Sequence, residues 1–263
     1  MKLQDKVVVI TGGGSGIGGV ASRIFAGYGA KVVMLELNPV CGKETEAEIN
    51  ANGGEAWFIQ TDVSNLEAVK AAFDQIAEKY GRVDALYNNA SVFWGGRDTC
   101  LENLEADIWK KVLSINLDSV FYCSKCAIPL MKEHGGAIIN TASSAAVVGV
   151  PGCAAYTATK GATVGLTRAM GVELGKYNIR VNCIAPAAIQ TEMVKESNLS
   201  DPDFDNDFFL RQITPLGRWG KAKDIAELAC FLASDEASYL NGVIIPADGG
   251  ITMNGNVNKM KNI

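Results

Sequence analysis

Short apolar runs alternate with amphipathic segments along almost the whole chain. Residues 6–10 form a continuous apolar run of the kind that is buried on both faces of a parallel sheet, and a helical pattern follows as far as Tyr28. Similar runs predict six further strands, at residues 31–36, 56–60, 85–87, 137–141, 180–184 and 243–246. The alternation predicts an α/β protein with a doubly wound Rossmann fold, in which a central parallel sheet of seven strands is flanked by helices.

The segments between these strands show the spacing of helices with one apolar face. They lie at residues 40–51, 66–80, 107–132, 156–177 and 222–233. No linker or repeat divides the chain, so residues 1–263 are predicted to form a single domain. Residues 187–214 interrupt the rhythm just beyond the carboxyl end of a strand, where open α/β sheets bind ligands. They are interpreted as a mobile substrate lid, with a passive surface loop as the alternative.

A glycine-rich turn follows the first strand directly. Gly12, Gly16 and Gly18 are spaced so that the backbone of a strand-to-helix turn approaches a pyrophosphate and directs N–H groups at it. Glu36 ends the second strand, where a carboxylate accepts hydrogen bonds from both adenosine ribose hydroxyls and repels a 2′-phosphate. Because Leu37 and Ser15 stand where a basic residue would serve NADP, the sequence favours NAD as the cofactor. The alternative for Glu36 is an ordinary loop acid.

Tyr156 and Lys160 are four residues apart near the start of a predicted helix, so their side chains share one face about one turn apart. A tyrosine normally ionises near pH ~10, and a cation held beside it stabilises the phenolate and lowers the pKa. The pair is therefore predicted to move a proton on and off an alcohol oxygen. The pattern taken alone also fits a solvated helical face.

Composition and charge narrow the class of protein. Of the 263 residues, 48% are hydrophobic and 20% are charged, and the net charge is −5 without a basic block, so nucleic acid is not an expected partner. No apolar run approaches the ~20 residues that span a bilayer, and residues 1–6 do not resemble a signal peptide, so no membrane is expected. Seven scattered cysteines are interpreted as reduced thiols of a cytoplasmic protein. His134 is the only histidine, which argues against a Ser-His-Asp triad and against a histidine metal site.

Several motifs occur in the order and at the spacing of one known family. They are the TGxxxGxG turn at residues 11–18, Asp62-Val63, Asn88-Asn89-Ala90, Asn116, Ser143, Tyr156 with Lys160, the PGxxxT-like segment at residues 186–191 and Asp248-Gly249-Gly250. With these motifs the chain resembles the short-chain dehydrogenase/reductase family from residue 6 to about residue 250. Ser91 and Ala187 stand where that family usually has glycine, so a slightly reshaped pocket is expected, with a strain cost if either position needs a positive φ.

The resemblance implies the roles of a catalytic tetrad. Tyr156 would take the alcohol proton as a phenolate, Lys160 would stabilise that phenolate and hold the nicotinamide ribose, and Ser143 would donate a hydrogen bond to the substrate oxygen. Asn116 would anchor a water that links Lys160 to solvent. The residues expected to bind NAD are Gly12, Ser15, Gly16, Ile17, Gly18, Glu36, Asp62, Val63, Asn89, Tyr156, Lys160, Pro186, Ile189 and Thr191.

The expected substrate pocket is mostly apolar. Its candidate wall residues are Phe93, Trp94, Ala145, Val150, Cys153, Met193 and Phe208. These side chains favour a lipophilic secondary alcohol or ketone, cyclic or even a hydroxysteroid. Phe93 and Trp94 fit equally well as caps of the core beside a strand end.

Three functions remain open from the sequence. The first is an NAD-dependent secondary-alcohol dehydrogenase. The second is an NADPH-dependent reductase of carrier-bound 3-oxoacyl chains, against which Glu36 argues. The third is a catalytically silent dinucleotide-binding sensor, against which the presence of all four tetrad residue types argues. The resemblance further implies a homotetramer, assembled through the helices that carry Asn116 and Tyr156 and through the C-terminal strand.

Overall fold

The centre of the molecule is a parallel β-sheet, seen in a computed structural model that describes residues 1–194 and 205–254. The strands are β1 (Val7–Thr11), β2 (Lys31–Glu36), β3 (Glu55–Gln60), β4 (Ala85–Asn88), β5 (Gly136–Thr141), β6 (Ile179–Pro186), β7 (Ile189–Gln190), β8 (Gly220–Lys221) and β9 (Ile244–Ala247). Seven of them form one sheet in the order β3-β2-β1-β4-β5-β6-β9, and β7 pairs with β8 apart from it. The order reverses between β1 and β4, which confirms the predicted doubly wound fold.

Helices cover both faces of this sheet. They are α1 (Gly16–Gly27), α2 (Pro39–Ala51), α3 (Leu66–Tyr80), α4 (Ala106–Leu113), α5 (Ser119–Met131), α6 (Ala154–Leu174), α7 (Glu192–Val194), α8 (Asn206–Phe208) and α9 (Ala222–Ala233). The ends of α3 and α9 agree with the sequence pattern, and the other long helices differ from it by a few residues at their ends. Helix ends are defined by local hydrogen bonds rather than by apolar spacing, so they are the least predictable part of an element.

The segment predicted as one helix over residues 107–132 is interrupted. Between α4 and α5 the chain forms a π-helical turn over Ser114–Asp118, with Asn116 at its centre and buried. Such a turn adds a residue to the helical repeat locally, and the apolar spacing of the two flanking helices does not reveal it.

The first strand shows why the core has two halves. Val8 and Ile10 pack into the hydrophobic cluster beneath α1 and α9, whereas Val7 and Val9 pack into the cluster beneath α3, α5 and α6. Successive side chains of a strand point to opposite faces, so a strand that is covered on both faces has to be apolar throughout. With both faces occupied by helices, the loops at the carboxyl ends of the strands are left to form a site.

The lid predicted over residues 187–214 is described only in part. Residues 187–194 contain β7 and α7, and residues 205–214 contain α8 and a π-helical turn at Phe209–Ile213. Residues 195–204 of the predicted lid lie outside the described residues. In the part of the chain that is described, no helix is both long enough and apolar enough to cross a membrane.

Candidate active site

The β1–α1 turn depends on two kinds of glycine. Gly12 and Gly16 have φ angles of 63° and 53°, a left-handed conformation that other residues adopt only at a cost. Gly18 is required for a different reason, because a Cβ atom there would overlap the carbonyl oxygen of Gly12. Gly12 and Gly16 line the large cavity at this edge of the sheet, and Gly18 does not. Gly18 therefore lets α1 pack closely on the turn, and its direct contact with the cofactor stays a prediction.

The start of α1 offers free donors to this cavity. Ser15 is the N-cap residue but makes no side-chain capping bond, and the first turn contains no acidic residue. The first N–H groups of a helix have no partner within the helix, and together with the helix dipole they favour an anion such as a phosphate. Ser15, Gly16 and Ile17 all line the cavity. This part of the structure thus fits the pyrophosphate of a dinucleotide.

Glu36 lies at the cavity end of β2, with only 9% of its surface exposed. One carboxylate oxygen accepts a hydrogen bond from the N–H of Gly14 at 3.2 Å, and the other accepts one from the N–H of Asn38 at 3.0 Å. The carboxylate is therefore fixed in place by the backbone, and each oxygen keeps capacity for a further donor. This arrangement fits a ribose diol.

The turns after β3 and β4 line the same cavity as Glu36. Asp62 follows β3 and accepts hydrogen bonds from the N–H and hydroxyl of Ser64 at 2.9 and 2.6 Å, and Val63 is buried beside it. After β4, the hydroxyl of Thr11 accepts hydrogen bonds from the N–H groups of Asn89 at 2.9 Å and of Ala90 at 3.0 Å. The side-chain amide of Asn89 donates to the carbonyl oxygen of Thr11 at 3.1 Å. These bonds hold the β4 turn against β1, so the backbone that lines the cavity is rigid.

The two residues that replace family glycines are accommodated without the expected strain. Neither Ser91 nor Ala187 has a positive φ; the left-handed conformation falls instead on Ala188, at 52°. The carbonyl oxygen of Ala188 accepts a hydrogen bond from the N–H of Gly220 at 2.8 Å, which ties this segment to β8. The hydroxyl of Ser91 is buried and finds no hydrogen-bond partner among the described residues.

Ser143, Tyr156 and Lys160 converge on the same cavity from β5 and α6. Ser143 follows β5 and accepts a hydrogen bond from the N–H of Ala145 at 3.2 Å. Tyr156 is the third residue of α6, and Lys160 lies one turn further on, with 2% of its surface exposed. The Lys160 ammonium donates a hydrogen bond to the carbonyl oxygen of Thr141 at 2.9 Å and lies 5.4 Å from the centre of the Tyr156 ring.

Desolvation controls the ionisation of this pair. Burial lowers the pKa of Lys160 to about 8. Burial also raises the pKa of Tyr156, and a hydrogen bond with the Ser143 side chain acts in the opposite direction. Burial is thus the main influence on the pKa of Tyr156, and the expectation that Lys160 lowers this pKa stays a prediction.

Asn116 makes its side-chain hydrogen bonds to a neighbouring loop, and its role in anchoring a water stays a prediction. Its carbonyl oxygen accepts a hydrogen bond from the N–H of Val92 at 2.8 Å, and its amide group donates to the carbonyl oxygen of Val92 at 2.9 Å. The amide also lies 3.5 Å from the hydroxyl of Thr159. Asn116 does not line the cavity. Its side chain therefore fixes the loop that leads to Phe93, and it is not placed to contact a ligand.

One cavity of about 680 Å³ brings together most of the predicted site residues. Of the predicted cofactor contacts, those that line it are Gly12, Ser15, Gly16, Ile17, Glu36, Asp62, Val63, Asn89, Tyr156, Lys160, Pro186, Ile189 and Thr191. Of the predicted substrate contacts, those that line it are Phe93, Trp94, Ala145, Val150, Cys153 and Met193. The donor-rich turn, the fixed carboxylate and the apolar slot near Val63 match the parts of a dinucleotide, and the residues present fit such a cofactor.

Phe208 is not part of the cavity. It ends the short helix α8, 56% of its surface is exposed, and it does not line the cavity. Its neighbour Phe209 stacks on Trp219, with ring centres 4.8 Å apart. Phe208 therefore lies outside the lining of the cavity described, and its contact with a substrate stays a prediction.

Several cavity residues gave no signal in the sequence. Lys111 and Ile115 enter the cavity from the interrupted α4–α5 segment, and Glu192 enters from α7. A fourth missed residue, Asp98, is fully buried beside the start of α6 and accepts hydrogen bonds from its backbone. The positions of these four residues depend on how the segments between the strands fold, which neither apolar periodicity nor motif spacing predicts.

Comparison with known proteins finds relatives along nearly the whole chain. Residues 12–252 match the family model described as Enoyl-(Acyl carrier protein) reductase. Meso-2,3-butanediol dehydrogenase of Serratia marcescens is 39% identical over 254 residues, which cover 96% of this chain and 96% of that protein. A 3-oxoacyl-(acyl-carrier-protein) reductase of Chlamydia muridarum is 36% identical over 251 residues, which cover 95% of this chain and 98% of that protein. The crystal structure of levodione reductase is similar with a TM-score of 0.89 and 37% identity, covering 95% of this chain and 99% of that chain.

Proposed function

The chain belongs to the short-chain dehydrogenase/reductase family of oxidoreductases, and we propose that it moves a hydride between NAD and a lipophilic secondary alcohol or ketone. One observation carries the proposal: a buried carboxylate at one end of the cavity and a hydroxyl, a phenol and an ammonium at the other. Glu36 supplies the first, and Ser143, Tyr156 and Lys160 supply the second. A catalytically silent sensor has no use for the second group.

The preference for NAD rests on Glu36. A carboxylate fixed by two backbone N–H groups cannot turn away from a 2′-phosphate at low cost, and two negative charges in a partly dry site repel each other strongly. Leu37, which follows it along the cavity, offers no compensating charge. Lys111 contributes one positive charge to the same cavity. Comparing kcat/KM for NAD with that for NADP measures whether the Glu36 carboxylate or the Lys111 ammonium decides the cofactor preference.

The chemistry proposed for the protein's own groups is proton transfer and orientation. Nicotinamide, when bound, supplies the hydride acceptor. The hydroxyl of Ser143 donates a hydrogen bond to the substrate oxygen, and the phenol oxygen of Tyr156 exchanges the alcohol proton. The ammonium of Lys160, held by the carbonyl oxygen of Thr141, stabilises the phenolate form through its charge.

The apolar part of the cavity supports a lipophilic substrate. Phe93, Trp94, Val150 and Met193 line it, and the Phe93 ring meets the Tyr156 ring edge-on with centres 5.1 Å apart. A ring-shaped or branched alcohol buries more apolar surface against such walls than a charged metabolite does. The butanediol dehydrogenase named above acts on a diol by its name, which agrees with a secondary alcohol as substrate.

A second candidate is an NADPH-dependent reductase of carrier-bound 3-oxoacyl chains. The family model's description and the relative from Chlamydia muridarum favour it. Glu36 opposes it, because the ribose phosphate of NADPH would lie at that carboxylate.

The experiment measures initial rates from the absorbance of the reduced cofactor, with NAD or NADP in turn. The substrates are cyclic secondary alcohols, steroid alcohols, an acyclic diol and, in the reducing direction, a 3-oxoacyl thioester. The proposal expects turnover of apolar secondary alcohols with NAD favoured over NADP. A preference for NADPH and the thioester would establish the second candidate, and cofactor binding without turnover of any substrate would support a sensor.

We also propose a homotetramer in the cytoplasm. Phe121 on α5 and Val172 on α6 are exposed by 48% and 85%, and Tyr239 before the C-terminal strand is fully exposed. These apolar side chains on the expected assembly faces support the tetramer. The seven cysteines are all free thiols, which supports a reducing compartment. Light scattering on the purified chain tests the tetramer, and a monomer would refute it.

A further inference from the structure

The first turn of α6, the helix that carries Tyr156, receives no capping hydrogen bond from its own N-cap residue. Its N-cap residue, Cys153, accepts no side-chain hydrogen bond from the backbone N–H groups of the first turn; its thiol pairs instead with the hydroxyl of Thr157 at 3.4 Å. The first turn of a helix needs acceptors for its free N–H groups, and a side-chain oxygen normally bonds the second or third of them. In α6 those are the N–H groups of Ala155 and of Tyr156 itself.

Asp98 supplies the missing cap from a loop far away in sequence. One carboxylate oxygen accepts a hydrogen bond from the N–H of Ala155 at 3.0 Å, and the other accepts one from the N–H of Tyr156 at 2.7 Å. Asp98 is fully buried, with no exposed surface, and none of the described lysines and arginines forms an ion pair with it. The N-terminus of α6 therefore stabilises the charge of the carboxylate through two N–H donors.

The loop that presents Asp98 is itself fixed. The carbonyl oxygen of Trp94 accepts hydrogen bonds from the N–H groups of Arg97 at 3.0 Å and of Asp98 at 2.8 Å. One residue further on, the carbonyl oxygen of Thr99 accepts a bond from the N–H of Ala154 at 3.3 Å. The backbone of Asp98 is thus bonded to the backbone of Trp94 in a tight turn, and this turn fixes the position from which the Asp98 side chain reaches α6.

The same loop forms the aromatic wall of the cavity. Phe93 packs edge-on against the Tyr156 ring, and Trp94 packs in the cluster that contains the buried Ala155. Asp98 therefore joins two parts of the site that have to keep a fixed distance: the wall against which a substrate rests and the phenol that exchanges its proton.

We propose that Asp98 is a positioning residue that holds the Tyr156 phenol in register with the Phe93–Trp94 wall. The inference rests on the proposed function of Tyr156. Small displacements of a reacting group lower the rate of the chemical step far more than they weaken the binding of a ligand elsewhere in the site. Loss of the Asp98 bonds should consequently act on kcat and leave the affinity for NAD almost unchanged.

The test compares Asp98→Ala and Asp98→Asn with a matched control. Asp84 is also a buried aspartate: it accepts a hydrogen bond from the N–H of Val7 at 2.8 Å and pairs with Arg82, but it precedes β4 at the opposite edge of the sheet. Asp84→Asn removes the same charge from a buried site without touching the cavity. Each protein is assayed for kcat, for the KM of its best alcohol and for the dissociation constant of NAD, below its own unfolding temperature.

We expect Asp98→Ala to lower kcat by on the order of ten- to a hundredfold while the dissociation constant of NAD changes by less than about threefold. Asp98→Asn keeps the size and one acceptor oxygen, so its kcat should lie between those of the wild type and Asp98→Ala. Asp84→Asn should lose thermal stability but keep kcat within about twofold of the wild type. The proposal is overturned if both Asp98 variants bind NAD and keep the wild-type kcat, or if kcat falls equally in Asp84→Asn. A wild type that turns over no alcohol would refute the proposed function instead, so the two failures are distinguishable.

If Asp98→Ala does not fold, Asp98→Asn and Asp98→Glu carry the test, because both retain a polar side chain with an acceptor. Asp98→Glu keeps the charge but displaces it by one methylene group. A lowered kcat with unchanged NAD affinity in Asp98→Glu would show that the position of the carboxylate matters. A wild-type kcat in both variants would contradict the proposal.

Discussion

The ammonium of Lys160 lies 5.4 Å from the centre of the Tyr156 ring and donates its hydrogen bond to the backbone carbonyl oxygen of Thr141. The strand β5 therefore holds the cation, and the cation acts on the phenol through its field. Burial lowers the pKa of Lys160 to about 8 and raises the pKa of Tyr156. Burial of the Lys160 ammonium therefore lowers the free energy of unfolding of the protein.

The first prediction concerns how much the buried ammonium of Lys160 destabilises the fold. The pKa of Lys160 falls from 10.5 in the unfolded chain to about 8 in the folded protein, so below pH ~8 the buried charge destabilises the fold by about 3 kcal/mol. Between these pKa values the unfolded state binds more protons, and the destabilisation fades as pH rises. Lys160→Met removes the charge, and we expect its free energy of unfolding to exceed that of the wild type at pH 7 by more than it does at pH 10.

The measurement is denaturant unfolding of both proteins at the two pH values. At each pH, the difference in free energy of unfolding between the two proteins is taken. This difference cancels the contribution of the buried tyrosines and cysteines, which titrate in both proteins. A difference that does not depend on pH would show that Lys160 is not desolvated as described.

The second prediction concerns the packing of the glycine turn. Gly18→Ala places a methyl group against the carbonyl oxygen of Gly12 and should weaken NAD binding by on the order of tenfold or more. Gly27→Ala, at the far end of the same helix, meets no atom within 4 Å and should leave NAD binding unchanged. Fluorescence titration with NAD measures both. Equal affinities in the two variants would mean that the turn tolerates a shift of α1.

The third prediction concerns cofactor choice. Glu36→Gln keeps the length of the side chain and an acceptor oxygen but removes the charge that faces the ribose. We expect the ratio of kcat/KM for NAD to that for NADP to fall by on the order of a hundredfold. Glu236→Ala, which breaks the surface pair between Lys2 and Glu236, removes one negative charge elsewhere and should leave the ratio unchanged. An unchanged ratio in Glu36→Gln would place the origin of the preference outside this carboxylate.

The fourth prediction concerns the aromatic wall. Phe93→Ala removes the ring that meets Tyr156 and should raise the KM of a bulky cyclic alcohol about tenfold, with a smaller effect on a short acyclic alcohol that reaches the ring less. Val172→Ala removes an exposed side chain from the same helix as Tyr156 and serves as the control for cavity contacts. If KM for both alcohols rises equally, Phe93 supports the fold of the loop and does not select the substrate.

The comparison of sequence with structure separates two kinds of information. The seven-stranded parallel sheet, the glycine turn and the meeting of Glu36 with Tyr156 in one cavity follow from apolar periodicity and motif spacing, because the carboxyl ends of parallel strands share one edge of the sheet. The contributions of Asn116 and Asp98 did not follow, because each bonds to backbone that is distant in sequence. The surroundings of Phe208 did not follow either, because they depend on the fold of an irregular segment that has no apolar periodicity.

The directions in which the pKa values of Tyr156 and Lys160 shift could not be predicted from the sequence either. A spacing of four residues places Tyr156 and Lys160 on one helical face, but desolvation depends on what covers that face. Burial raises the pKa of Tyr156, and the hydrogen bond with the Ser143 side chain opposes this increase.

The central claim is tested most directly by Tyr156→Phe, which removes one oxygen atom and keeps the ring that packs on Phe93. Turnover of the best alcohol with NAD and the dissociation constant of NAD are measured on the same preparation. We expect turnover to fall by on the order of a thousandfold or more, since general acid–base catalysis of this kind contributes factors of ~10²–10⁴, while NAD binding stays within about threefold. Turnover near the wild-type rate would contradict the assignment of Tyr156 as the group that exchanges the substrate proton.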